Sequence, residues 1–94
     1  MYLTCTRHIV KDYTTWRTAF DANVPMLEEA GVLSTTIVQV ADNPSDIVVL
    51  NTWPAKDSWD MFMAAHKMSM DEMIKRREEA GVVGQPEFFM GRVV

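Results

Sequence analysis

The sequence predicts an α+β domain built from two strand-helix-strand units, β-α-β followed by β-α-β, on one antiparallel sheet with helices on a single face. Three observations predict it. Runs rich in β-branched and aromatic residues fall at 2–10, 33–41, 46–53 and 87–94; apolar residues recur at helical spacing between the first and second runs and between the third and fourth; turn chemistry separates the middle two.

Residues 2–10 (YLTCTRHIV) interleave polar with β-branched and aromatic residues, which suits a strand whose two faces meet different surroundings. Asp12 is a good N-cap, and behind it Tyr13, Trp16, Phe20, Val24 and Leu27 form one apolar stripe. Gly31 supplies the residue that closes this helix. Pro25 removes the hydrogen bond its N–H would give Asp21, and a bend is expected there that lifts the helix from the sheet. The strands at 33–41 and 46–53 flank Asp42-Asn43-Pro44-Ser45 and read as a hairpin. A second helix starts near Pro54 and carries Trp59, Phe62, Met63 and His66 on one face. Ser69-Met70-Asp71-Glu72 has the spacing of a capping box, so a break at Lys67–Met68 and a new helix to about Ala80 are expected, with Gly81 closing it. After a Gly84-Gln85-Pro86 loop, 87–94 (EFFMGRVV) forms the last strand.

Two such crossovers give a ferredoxin-like sandwich with strand order 4132. Ile47-Val48-Val49-Leu50 and Phe88-Phe89-Met90 are apolar at consecutive positions, which point to opposite sides of a strand. Both sheet faces are therefore expected to be buried, one by helices and the other by a second copy of the chain. The 94 residues fit one domain, 1–94, and a domain of that size buries only about 60 to 65% of its unfolded surface, so a partner would help it.

Composition excludes several roles. The net charge is −4, and the one basic run, Lys75-Arg76-Arg77, is followed at once by Glu78-Glu79, which argues against nucleic acid. No apolar stretch approaches the roughly 18 residues of a membrane span, and the first residues lack the layout of a signal peptide. A cytoplasmic protein is expected, and the lone Cys5 excludes an internal disulfide. Two distant histidines and one cysteine make no tetrahedral metal site, and neither a phosphate-cradling glycine loop nor a dinucleotide fingerprint is present. No cofactor is expected.

If strand one lies antiparallel to strand three, His8 stands at the end remote from Trp53, and the second helix runs back toward it. His66 then approaches His8 and Tyr13, giving two imidazoles and a phenol fit to abstract a proton from an acidic phenol or a carbon beside carbonyls. Asn51 places an amide in an otherwise apolar strand, so it meets either a backbone partner or a cavity. Trp16, Phe20, Trp53, Trp59, Phe62 and Met63 supply aromatic and thioether walls, and Met61, Met68, Met70 and Met73 extend the pliable part. Each of these also has a plainer reading, as a satisfied strand-end histidine or as core packing.

Arg7-His8-Ile9-Val10-Lys11-Asp12-Tyr13, with Trp16 and Phe20-Asp21, resembles small bacterial proteins of the dimeric α/β barrel superfamily, relatives of the antibiotic biosynthesis monooxygenases that often carry the label cyclase. Gly31, Asp42-Asn43-Pro44, Trp53 and the stretch Ala80-Gly81-Val82-Val83-Gly84-Gln85-Pro86-Glu87 extend the similarity nearly end to end. The resemblance implies two sheets closing into a barrel across a homodimer, with a ligand cavity between helices and sheet. It also implies that Asn51, Trp53, Trp59 and His66 line the cavity, by residue type and location. The superfamily holds cofactor-free oxygenases, polyketide cyclases, isomerases and haem-degrading enzymes, so it specifies fold more closely than reaction.

The leading expectation is an enzyme that works without metal or nucleotide on an aromatic or polyketide-like molecule. His8, Tyr13 and His66 would be its acid/base set and Asn51 its carbonyl donor. The alternatives are a non-catalytic module that binds a small apolar ligand or serves assembly, and a haem-binding variant with His66 as axial ligand.

Overall fold

The computed structural model describes all 94 residues, 1–94. Its elements are β1 (Tyr2–Val10), α1 (Tyr13–Glu29), β2 (Ser34–Gln39), β3 (Asp46–Trp53), α2 (Lys56–Ala65), α3 (Met70–Glu79) and β4 (Val82–Arg92), with one 3-10 turn at Val40–Asp42. The strands form one antiparallel sheet in the order β2-β3-β1-β4, the expected ferredoxin-like arrangement. No helix is long and apolar enough to cross a membrane.

The local signals act as their chemistry requires. The Asp12 carboxylate accepts from Thr15 N–H at 2.9 Å and opens α1, and the helix runs through Pro25 to Glu29 without interruption. Gly31, at φ +90°, adopts the left-handed conformation that closes it. Ser69 Oγ accepts from Glu72 N–H at 3.2 Å and starts α3 after the expected break. In the hairpin turn, Asn43 Oδ1 accepts from Ser45 N–H at 3.0 Å, the short-range bond that favours asparagine there.

Two boundaries differ from expectation. β2 ends at Gln39 because the chain turns early into Val40–Asp42, where Ala41 and Asp42 both have positive φ. β4 begins at Val82 rather than 87, so Gly84-Gln85-Pro86 lies inside a strand. The β1–β4 register explains how: Arg7 pairs with Glu87 but Ile9 with Val83, so the loop residues form a bulge. Because β4 is an edge strand and the bulge interrupts pairing there, the missing N–H of Pro86 costs no ladder bond.

The register also decides what each sheet face carries. Thr4 pairs with Asn51, Thr6 with Val49 and His8 with Ile47 on the side under the helices; Cys5 pairs with Leu50 and Arg7 with Val48 on the open side. On β1 the more polar set, Thr4, Thr6 and His8, therefore faces the helices. Leu3, Cys5 and Ile9 face away, joined by Val48, Leu50 and the exposed Phe89. A strand that served only to fill a core would be turned the other way. The open face also carries charge: Arg7 grips Asp46 through two hydrogen bonds of 3.0 and 2.7 Å and stands opposite Glu87 in the β1–β4 register. Arg7 holds the Asp46 carboxyl below the usual carboxylate range. Burial pushes the Cys5 thiol up, so it stays protonated and unreactive near neutrality.

The core splits into two parts. Val10, Trp16, Ile47 and Val49 pack together at the His8 end with Tyr13, Phe20, Ile37, Ala80 and Val82 around them. Trp53, fully buried at the opposite end of β3, packs edge-on against Trp59 and tilted against Phe62, with ring centroids 5.5 Å apart in each case, and donates its indole N–H to Thr4 Oγ1 at 3.0 Å.

Candidate active site

Between these two packed regions the helices stand away from the sheet over a cavity of about 740 Å³, within the size range of small-molecule sites. Its floor is Thr4, Thr6 and His8 of β1, Val49 and Asn51 of β3, and Phe88 of β4. Trp16, Phe20, Asn23, Met26 and Leu27 of α1 form one wall. Trp59, Phe62, Met63 and His66 form the other, and Lys67, Met68, Glu72, Met73 and Arg76 border it where α2 gives way to α3.

His8, His66 and Asn51 thus line one cavity, together with Trp16, Phe20, Trp59, Phe62 and Met63. Tyr13 and Trp53 do not. The Tyr13 hydroxyl accepts a long hydrogen bond, 3.3 Å, from Arg17, and the Tyr13 ring packs beside Trp16, 5.9 Å between centroids. Trp53 is held in the core by Thr4, and its contribution is to the floor beneath the cavity rather than to its lining. Met61 and Met70 are exposed away from the cavity, whereas Met63, Met68 and Met73 border it.

His8 is unusual chemically. Its Nε2 is shielded from solvent and has no hydrogen-bond partner, and its ring centroid is 5.3 Å from that of Trp16. Burial, with a smaller contribution from the positive charge of Arg77, lowers its pKa below that of a free imidazole. His8 is therefore a neutral imidazole at pH 7, with a proton-accepting lone pair on one of its two nitrogens. His66 sits at the C-cap of α2, its ring 4.8 Å from that of Phe62.

Asn51 is oriented rather than free. Thr35 Oγ1 donates to its Oδ1 at 2.6 Å, which fixes the amide and leaves both Nδ2 hydrogens without a protein acceptor. Beside it in the register, Thr4 Oγ1 accepts from Trp53, so its own hydroxyl hydrogen remains available. The floor thus presents amide and hydroxyl donors at the Thr4–Asn51 end and a neutral imidazole at the other, between aromatic walls. Sequence reasoning missed Thr4 and Thr6. Their alternation with Leu3 and Cys5 was visible, but which face turned toward the helices was not.

No protein-family model and no curated protein matches the chain. Solved structures do match, over almost its whole length. A Nitrosomonas europaea protein assigned as an antibiotic biosynthesis monooxygenase superposes with TM-score 0.72 at 17% identity, covering 100% of this chain and 99% of that one. A mutant of SnoaB, a cofactor-independent oxygenase from Streptomyces nogalater, superposes with TM-score 0.74 at 12% identity over 98% of this chain and 91% of that one. A dimeric ferredoxin-like protein from an uncultured marine organism gives TM-score 0.66 at 13% identity over 99% and 87%. The chain therefore has the ferredoxin-like fold of antibiotic biosynthesis monooxygenase-like structures, as the sequence resemblance implied.

Proposed function

We propose that the chain is a cofactor-independent oxygenase acting on a flat aromatic or polyketide-like molecule whose CH₂ group is acidified by neighbouring carbonyl or aryl groups. The observation that carries this is the polar floor of an otherwise aromatic cavity: His8 neutral and unpartnered, Asn51 held with its N–H donors free. His8 takes the first proton, and Asn51 and Thr4 donate to the carbonyl oxygen on which the negative charge accumulates. The carbanion then reduces dioxygen. The carbon loses both hydrogens and becomes a carbonyl, the second oxygen atom leaves as water, and the substrate supplies all four electrons. A similar fold in a cofactor-independent oxygenase supports this outcome over cyclisation, which begins with the same deprotonation but consumes no oxygen.

The test is oxygen uptake with anthrone, a tricycle with an acidic CH₂ between aryl rings and opposite a carbonyl. Uptake of one O₂ per anthrone converted, above the rate in buffer, is expected, and Asn51→Ala should lower kcat about 10² to 10³-fold, the usual effect of removing one donor to a developing oxyanion. Binding of anthrone without turnover would replace this reading with the ligand-binding module.

A homodimer completes the reading. The open face carries Leu3, Ile9, Leu50 and Phe89 in a chain too small to leave such a surface in water without consequence. A second copy pairing on that face closes both sheets into a barrel. In sedimentation equilibrium the wild type should behave as a dimer and Leu50→Glu as a monomer, because a carboxylate at the centre of that face would be buried without a partner. A wild-type monomer at micromolar concentration would remove the proposal.

A further inference from the structure

We propose that the cavity selects aromatic molecules carrying one anionic group, which Arg76 and Lys67 hold at the border between α2 and α3. This rests on the cavity being the substrate site and names the class of substrate it takes.

The ion pairs of the chain motivate it. Arg17–Asp21 and Lys56–Asp60 are four residues apart on a helix and close to 3.0 and 2.9 Å. Glu72 and Arg76 have the same spacing in the opposite and more favourable order, acid before base, yet they form no ion pair and both border the cavity. Lys67, in the break between the helices, is likewise unpaired and borders the cavity. Two cations thus stand against one carboxylate at this border, in a chain whose net charge is −4. Arg77, one residue on, also enters no ion pair and is near enough for its charge to act on His8. The opposite end of the floor offers only the neutral donors Thr4 and Asn51.

The cavity is therefore polarised along its length. An aromatic acid would lay its rings between Trp16 on one side and the stacked Trp59 and Phe88 rings on the other, and present its carboxylate or sulfonate to Arg76 and Lys67. Anchoring one end by charge fixes which carbon of a flat, nearly symmetric molecule reaches His8. The aromatic walls alone cannot set that choice.

A matched pair of fluorescent probes tests this without turnover: 1-anilinonaphthalene-8-sulfonate, and N-phenyl-1-naphthylamine, the same amine without the sulfonate. Wild type should bind the sulfonate more tightly. Arg76→Gln should weaken sulfonate binding roughly tenfold, and Lys67→Gln by a smaller factor, while the neutral amine changes less than about twofold. Lys75→Gln, on α3 but away from the cavity, should change neither probe. Equal losses for both probes in Arg76→Gln, or no loss for the sulfonate, would overturn the inference. Selective loss of the sulfonate in a protein that never consumes oxygen would sustain it and sink the oxygenase instead.

Discussion

Replacing Trp53 by alanine should destabilise the protein by about 3 to 5 kcal/mol, the range for deleting a fully buried aromatic side chain. Three losses coincide there. The ring is 0% exposed, it packs edge-on against Trp59 and tilted against Phe62, and its N–H satisfies the buried Thr4 hydroxyl. The protein is small and its stability is drawn from a total of roughly 5 to 15 kcal/mol, so the variant should be close to unfolded at 37 °C. Thermal denaturation followed by circular dichroism at matched chain concentration is the measurement. A midpoint lower by about 15 to 30 °C is expected for a domain of this size. Trp53→Phe, which keeps an aromatic ring but leaves Thr4 without its donor, should lie in between. A shift of under 5 °C for Trp53→Ala would mean that this end of the sheet is held by something other than the Trp53, Trp59 and Phe62 group.

The same residue shows where the sequence was readable and where it was not. The sequence leaves Trp53 between ligand wall and core, because a tryptophan at the end of a strand beside an apolar helix suits either role. Only the Nε1–Thr4 bond, between residues 49 apart in sequence, separates the two. Tyr13 is ambiguous for a comparable reason: helical spacing brings it to the correct end of the sheet but does not say on which side of Trp16 it falls. Element order and register were legible because they follow from local chemistry. Asp12, Gly31, Ser69 and Gly81 punctuate the helices, and Asn43 with Pro44 turns the hairpin. The antiparallel β1–β3 pairing then follows and sends His8 to the end opposite Trp53. The start of β4 is hidden in the sequence because Gly84 and Pro86 read as a loop, and their acceptance in a strand depends on its being an edge strand, a long-range property.

Removing the His8 imidazole should have the largest effect on turnover. His8→Ala is expected to lower kcat for anthrone oxidation by about 10² to 10⁴-fold, the range for losing a general base, with binding little changed. Its pH profile provides the sharper check. Because burial, and secondarily the charge of Arg77, lowers the His8 pKa, the neutral base persists below pH 6.5. In wild type, kcat/KM should therefore rise through an apparent pKa below 6.5 and be level from there to pH 8. The titratable groups that line the cavity with His8 are His66, Lys67, Glu72 and Arg76, Arg77 acts on it through its charge, and the Trp16 ring lies against the imidazole. Glu72 is the one acidic group among them, and burial, with the charge of Arg77, keeps the imidazole neutral. The same shift has a sign in stability. A histidine whose folded pKa lies below its unfolded value contributes fully above pH 6.5, and that contribution is lost as pH falls from there through the folded pKa, because the unfolded chain takes up the proton first. His8→Gln should lack this acid-side loss, flattening stability against pH relative to wild type between pH 6.5 and 5. Asp12 and Asp46, whose carboxyls are held low by their partners, act at lower pH and are common to both proteins. A kcat/KM limb centred above pH 7, or His8→Ala turnover within tenfold of wild type, would move the base elsewhere, and His66 on the facing wall would be the next residue to replace.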